Sequence, residues 1–162
     1  GLSAIAVHNT IDVPSMPAAR KGARFLWLER PSASVVRTDE AADASTIEIR
    51  NRTWEARGLT HVRRCVLTEH SVDVFDEVDS SQPSVELHVH WLVQDGAPLP
   101  TIESETAGTT TVVRATETSV EGWRSLHYGE RHAATSVTFV MALSGRATIH
   151  SRFVATNLRR EP

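Results

Sequence analysis

Apolar and polar residues alternate with a period of two along most of the chain, and no stretch carries apolar residues at i, i+3, i+4 and i+7 over three turns. A period of two sends successive side chains to opposite faces of a strand, so the pattern predicts strands and no long helix. Residues 5–13 open the series: Ile5, Val7, Ile11 and Val13 share one face, and Ala6, His8, Thr10 and Asp12 share the other. Two prolines and Gly22 make residues 14–22 a loop, after which residues 25–28 and 34–37 read as short strands. Residues 38–45 are acidic and alanine-rich without an apolar stripe and read as a loop. Residues 46–52 and 61–68 alternate cleanly and are expected to pair across the loop at 54–60. Residues 72–78 continue the meander after a polar turn at Glu69-His70-Ser71.

Ser80-Ser81-Gln82-Pro83-Ser84 is expected to break the next run, and residues 85–93 form the longest alternating segment. There Val85, Leu87, Val89, Trp91 and Val93 lie on one face, with Glu86, His88 and His90 on the other. Threonine-rich residues 109–118 suit a pleated surface. Residues 123–129 read as an aromatic and polar loop or edge, and residues 135–143 and 146–155 as a final hairpin about Ser144-Gly145. The predicted class is all-β, a two-layer antiparallel β-sandwich of about ten to twelve short strands forming one domain over residues 1–162.

Composition narrows what such a domain can do. With 162 residues the chain can bury a sizeable core without disulfides or metals. A net charge of −3 and 17 scattered basic residues leave no footprint for nucleic acid. No apolar run reaches the roughly 20 residues that cross a bilayer as a helix, and no signal-peptide layout opens the chain. The single cysteine, Cys65, reads as a small buried thiol. The start at Gly1-Leu2-Ser3, with strand character almost at once, reads as a piece of something longer.

Candidate chemistry concentrates on histidines. His88 and His90 put two rings on one strand face, an arrangement that suits a divalent metal or a polar groove. The glycine and glutamate that would make this pair a cupin motif are missing. Tyr128, the only tyrosine, follows His127 and is a candidate for contact with a sugar. There is no phosphate-binding glycine loop and no nucleophile elbow.

The sequence His8-Asn9-Thr10, then Phe25-Leu26-Trp27, then Glu86-Leu87-His88-Val89-His90 and finally Trp123 to Gly129 around Ser125 and Tyr128 resembles, in order and spacing, the C-terminal β-domain of heparinase II/III-like polysaccharide lyases. The resemblance covers nearly the whole chain. It implies a parent protein in which an α/α toroid precedes this β-domain and uronic-acid polysaccharides are cleaved by β-elimination. A base there removes the proton α to the carboxylate and an acid protonates the leaving oxygen. It implies that His8 stands at a zinc-ligand position, with the other ligands upstream of these residues, so that zinc belongs to the parent and is not expected to be held tightly by this piece. No catalytic residue is assigned within the chain; His88, His90 and Tyr128 are the expected substrate contacts and His8 the expected metal position. The expected partners are an acidic polysaccharide of glycosaminoglycan or alginate type and the toroid, and the piece alone is expected to be inactive. An edge left open by missing strands would favour a homodimer. The compartment stays open, a periplasmic or secreted location being favoured over the cytoplasm. The alternative is a non-catalytic carbohydrate-binding or domain-interaction sandwich with Trp27, Trp54, Trp91 or Trp123 as its platform.

Overall fold

In the computed structural model, which describes residues 8–23, 26–119, 121–125, 127 and 130–154, the alternating segments form eleven strands. In chain order these are β1 (Thr10–Asp12), β2 (Arg20–Ala23), β3 (Leu26–Glu29), β4 (Ala33–Glu40), β5 (Ala44–Asn51), β6 (Leu59–Thr68), β7 (Ser71–Gln94), β8 (Thr101–Ser104), β9 (Gly108–Arg114), β10 (Trp123–Arg124) and β11 (His132–Val154). A 3-10 turn, Glu55–Arg57, sits between β5 and β6. The all-β expectation holds. Nine strands share one antiparallel hydrogen-bonded sheet, with path β10-β11-β7-β6-β5-β4 and with β1 on β7 and β8 and β9 on β11; β2 and β3 make a separate ribbon.

Two long strands are the spine. The first half of β7 pairs with β6 on one edge and with the second half of β11 on the other. The second half of β7 pairs with β1 and with the first half of β11, and β9 and β8 line the far edge of β11. Where the halves meet, Leu143 faces Val85 and Gly145 faces Ser80, so Ser81 to Ser84 stand opposite Ser144 alone. This bulge changes which residues of β7 face the core. Val74, Asp76, Val78 and Ser80 are buried before it, and Val85, Leu87, Val89, Trp91 and Val93 after it. The odd step from 80 to 85 reverses the parity, whereas β11 keeps Val137, Phe139, Met141, Leu143, Ala147 and Ile149 inward throughout.

The bulge corrects two expectations together. The break at residues 80–84 and the hairpin at Ser144-Gly145 are the two sides of one irregularity in continuous strands. The same polar and glycine signals serve either a turn or a bulge, and Gly145, with φ of 71°, supplies the left-handed residue that the bulge needs. Residues 38–45 are likewise not a loop: β4 and β5 run almost into each other, and Ala41 donates its N–H to the Ala44 carbonyl at 2.8 Å across a tight turn. Pairing of β5 with β6, in which Asn51 faces His61 and Ala44 faces Thr68, is as the alternation predicts. β1 is shorter than residues 5–13, since His8 and Asn9 form a bend before it; residues 5–7 lie outside the described residues.

Candidate functional site

The bend at His8 and Asn9 is held to the spine almost entirely through its backbone carbonyls and one amide. β1 pairs with β7 so that Thr10 faces His90, Ile11 faces Val89 and Asp12 faces His88. Beyond that pairing the Asn9 side-chain oxygen accepts the Leu92 N–H at 2.7 Å, two residues along β7 from the last partner of β1, His90. The Asn9 carbonyl accepts from Arg63 Nη1 at 2.6 Å, and the His8 carbonyl accepts from His90 Nδ1 at 3.0 Å. Ile11 and Val13 are fully buried and fix the strand from below.

Arg63 belongs to a buried charge network. Asp76, with no exposed surface, accepts from Arg63 Nε at 2.7 Å on Oδ1 and from Arg63 Nη2 at 2.9 Å on Oδ2, a two-pronged fork. His61 Nε2 donates to the same Oδ1 at 2.7 Å. Burial opposes the charge on Asp76, but the Arg63 guanidinium and the hydrogen bonds from His61 and Arg63 outweigh it and hold the carboxyl below its usual range. The guanidinium also lies over the Trp91 ring, 4.8 Å from its centroid, and the Trp91 indole N–H donates to Ser151 at 2.9 Å. Thus β6, β7 and β11 together set the position of Asn9. Sequence reasoning passed over this network, although one signal was present: Asp76 occupies an inward position between Val74 and Val78.

The structure separates the two histidines that the sequence puts on one face. His90 is buried, with Nδ1 on the His8 carbonyl and Nε2 on the Ser136 hydroxyl. The tautomer with a proton on Nδ1 satisfies both partners. Burial pushes the His90 imidazole below its ordinary range, in keeping with that neutral form. His88 is a quarter exposed, and its Nε2 donates to Glu86 at 2.8 Å. Across the ladder from it, Asp12 is buried; burial raises the Asp12 carboxyl and the neighbouring His88 partly offsets this. His8 itself is exposed. Among the described residues no three His, Cys, Asp or Glu side chains stand together so as to hold a metal ion, and the described surroundings of His8 do not by themselves fit zinc. Tyr128 lies outside the described residues; its neighbour His127 is exposed and accepts a hydrogen bond from Ser125 on its carbonyl.

Of the four tryptophans expected as a platform, Trp54 and Trp91 are corrected to interior positions, and the Trp27 side chain lies outside what the structure describes. Trp54 is fully buried with its indole N–H on the Met16 carbonyl at 2.6 Å, and Trp91 is in the core. Trp123 is partly buried beneath Arg131, whose guanidinium lies 4.2 Å from the ring centroid. Cys65 is partly buried against the core, and burial raises its thiol.

A family model described as heparinase II/III-like, C-terminal, matches residues 2–158. Among solved structures, heparan sulfate lyase HepC from Pedobacter heparinus superposes with a TM-score of 0.60 at 13% identity, over 93% of this chain and 24% of that one. A heparinase III, the BT4657 gene product, superposes with a TM-score of 0.61 at 15% identity, over 97% of this chain and 25% of that one. The chain therefore spans about a quarter of the length of these structures, and at such identities the likeness concerns the fold. No curated protein sequence matches the chain.

Proposed function

The chain belongs to the heparinase II/III-like C-terminal family, and from that premise we propose that it is the β-domain of a lyase that cleaves uronic-acid polysaccharides by β-elimination. In this reading it supplies scaffold and one wall of the substrate groove, and it is inactive alone. The observation that carries the reading is the family match over residues 2–158, and the heparan sulfate lyases of the same fold make an acidic glycosaminoglycan the first substrate to test. The clamp on His8 and Asn9 supports it further. Hydrogen bonds from β6 and β7 fix a bend that leaves the His8 ring exposed, an arrangement suited to presenting that ring to a neighbouring domain or to substrate. Zinc in the parent protein would take His8 together with ligands from outside the described residues.

The test is ultraviolet detection of unsaturated uronate from the complete protein acting on heparin-like, chondroitin-like and alginate polymers, with His8→Ala and the isolated chain alongside. Product from the complete protein, reduced in the variant and absent from the isolated chain, is expected. Product from the isolated chain would remove the scaffold role, and silence of the complete folded protein on every polymer would remove the lyase reading.

A further inference from the structure

Away from the His8 bend, the loop before β2 and the 3-10 turn enclose a cleft of about 790 Å³, within the ~300–1,000 Å³ of ligand-sized clefts. Among the described residues its lining includes Arg20, Arg30 and Arg57 and no carboxylate. That concentration of one sign stands out in a chain whose net charge is −3.

The cleft is a built feature of the fold. Trp54, fully buried, pins the loop through the Met16 carbonyl, and Arg57 Nη2 donates to the Pro17 carbonyl at 3.0 Å. These are neutral acceptors, so the Arg57 charge is positioned without being cancelled. Glu55, the acid of the same turn, is taken by Arg50 Nε at 2.6 Å. The turn ends at Gly58, with φ of 79°, where an added Cβ would run into Ser81 Oγ. Ser81 donates its N–H to the Gly58 carbonyl at 2.8 Å, and the Gln82 amide donates to the Arg57 carbonyl at 3.4 Å. The bulge in β7 thus latches the turn that carries Arg57. Arg30 is exposed and has no ion pair among the described residues. Arg20 faces Glu29 across the β2–β3 ribbon, so the argument rests on Arg30 and Arg57.

We infer that this cleft is an anion-binding subsite that takes the carboxylate or sulfate groups of a polysaccharide chain on Arg30 and Arg57. Planar guanidinium groups match the paired oxygens of such anions, and a concave wall strengthens the attraction. That the anion belongs to a polysaccharide rests on the lyase reading; that the cleft takes an anion rests on its construction alone.

The experiment measures binding of heparin fragments, alginate fragments and neutral dextran to the complete protein, together with unsaturated uronate production. Arg30→Glu is compared with Arg37→Glu, an equal charge change on β4 at a residue paired with Asp39. Arg30→Glu is expected to weaken binding of an acidic fragment about tenfold, Arg37→Glu to leave it nearly unchanged, and dextran not to bind. Arg57→Gln, checked for folding by near-ultraviolet circular dichroism of Trp54, is expected to weaken binding as well. Equal binding by the Arg30 and Arg37 variants, or dextran binding as well as the acidic fragments, overturns the subsite. Product formation with binding unchanged in Arg30→Glu overturns the subsite alone. Arg30-dependent binding with no product from any polymer keeps the subsite and overturns the lyase reading.

Discussion

The end of the sheet where β1 joins β7 and the end where β4 joins β5 are made from the same antiparallel pairing, yet they are closed in opposite ways. Around β1 the core is continuous. Ile11, Val13, Leu87, Val89, Val137 and Phe139 are buried, and of the polar groups among them Asp76, His90 and Ser136 have assigned partners, while His61 is bonded through Nε2 and keeps a buried Nδ1 without a partner among the described residues. At the other end β4 is exposed along seven of its eight residues, Val35 and Val36 retain 60% and 56% of their surface, and Leu67 on β6 retains 54%. β4 also leaves one backbone edge unpaired among the described residues. Backbone pairing therefore extends further than the core does. One end is stabilised by its own interior, and the other has the form of a surface that meets something else.

The sharpest way to break the closed end is to remove the charge on Asp76. Asp76→Asn leaves Arg63 mostly buried and without its counter-charge, and a loss of about 3 kcal/mol is expected in urea unfolding. A loss below about 1 kcal/mol would show that the network is incidental to the closure. The pH dependence has a definite sign. Because the folded carboxyl lies below its usual range, its stabilisation is fully present above the unfolded value of about 3.9 and is lost as pH falls through the lower folded value. The variant should lose less stability than the native protein over that acid range.

His90 gives a smaller test of the same end. His90→Phe keeps a ring in place but strips the hydrogen bonds from the His8 carbonyl and the Ser136 hydroxyl, for an expected cost of about 2 kcal/mol. Burial lowers the folded value of this histidine, so the folded state takes up a proton less readily than the unfolded chain. Its contribution is therefore complete above the unfolded value of about 6.5 and declines as pH falls from there through the folded value. Thermal unfolding followed from neutral to mildly acidic pH should show this decline in the native protein and a flatter course in the variant. Parallel curves would mean that His90 does not titrate in unfolding.

How much of this was legible follows from how far each signal reaches along the chain. Alternation is local, so strand identity and the inward face of Val85, Leu87, Val89, Trp91 and Val93 could be read directly. The bulge could not, because Ser80 to Ser84 and Ser144-Gly145 look like turns until the two are seen to face each other. The clamp on Asn9 joins residues 54 and 83 positions apart, and the cleft brings together residues 17–20, Arg30 and Arg57. Period-two patterning carries no information about such contacts. Asp76 was the one buried group with a local mark, an acid at an inward position; His61 carried none beyond its place at the start of β6. The histidine pair was read as one feature because parity places both rings on the same face, but pairing with β1 and β11 buries one and leaves the other at the margin.

The open end provides the smallest expected effect and the one that tests the comparison most directly. Val36 stands at the irregularity between Val35 and Arg37 in β4, has no partner in the β5 register and is largely exposed. If this end contributes little to the interior, Val36→Lys should change unfolding stability by no more than about 0.5 kcal/mol, against several for Asp76→Asn. A loss well above 1 kcal/mol would mean that the side chain is covered in solution, and the covering surface would then have to be identified. Light scattering supplies that step, since a lysine at an unpaired edge opposes strand-to-strand association between copies. A dimeric native protein with a monomeric variant would make the open end a contact between copies. Equal stability and equal mass would leave it as exposed surface of a chain that spans about a quarter of the length of the solved structures sharing its fold.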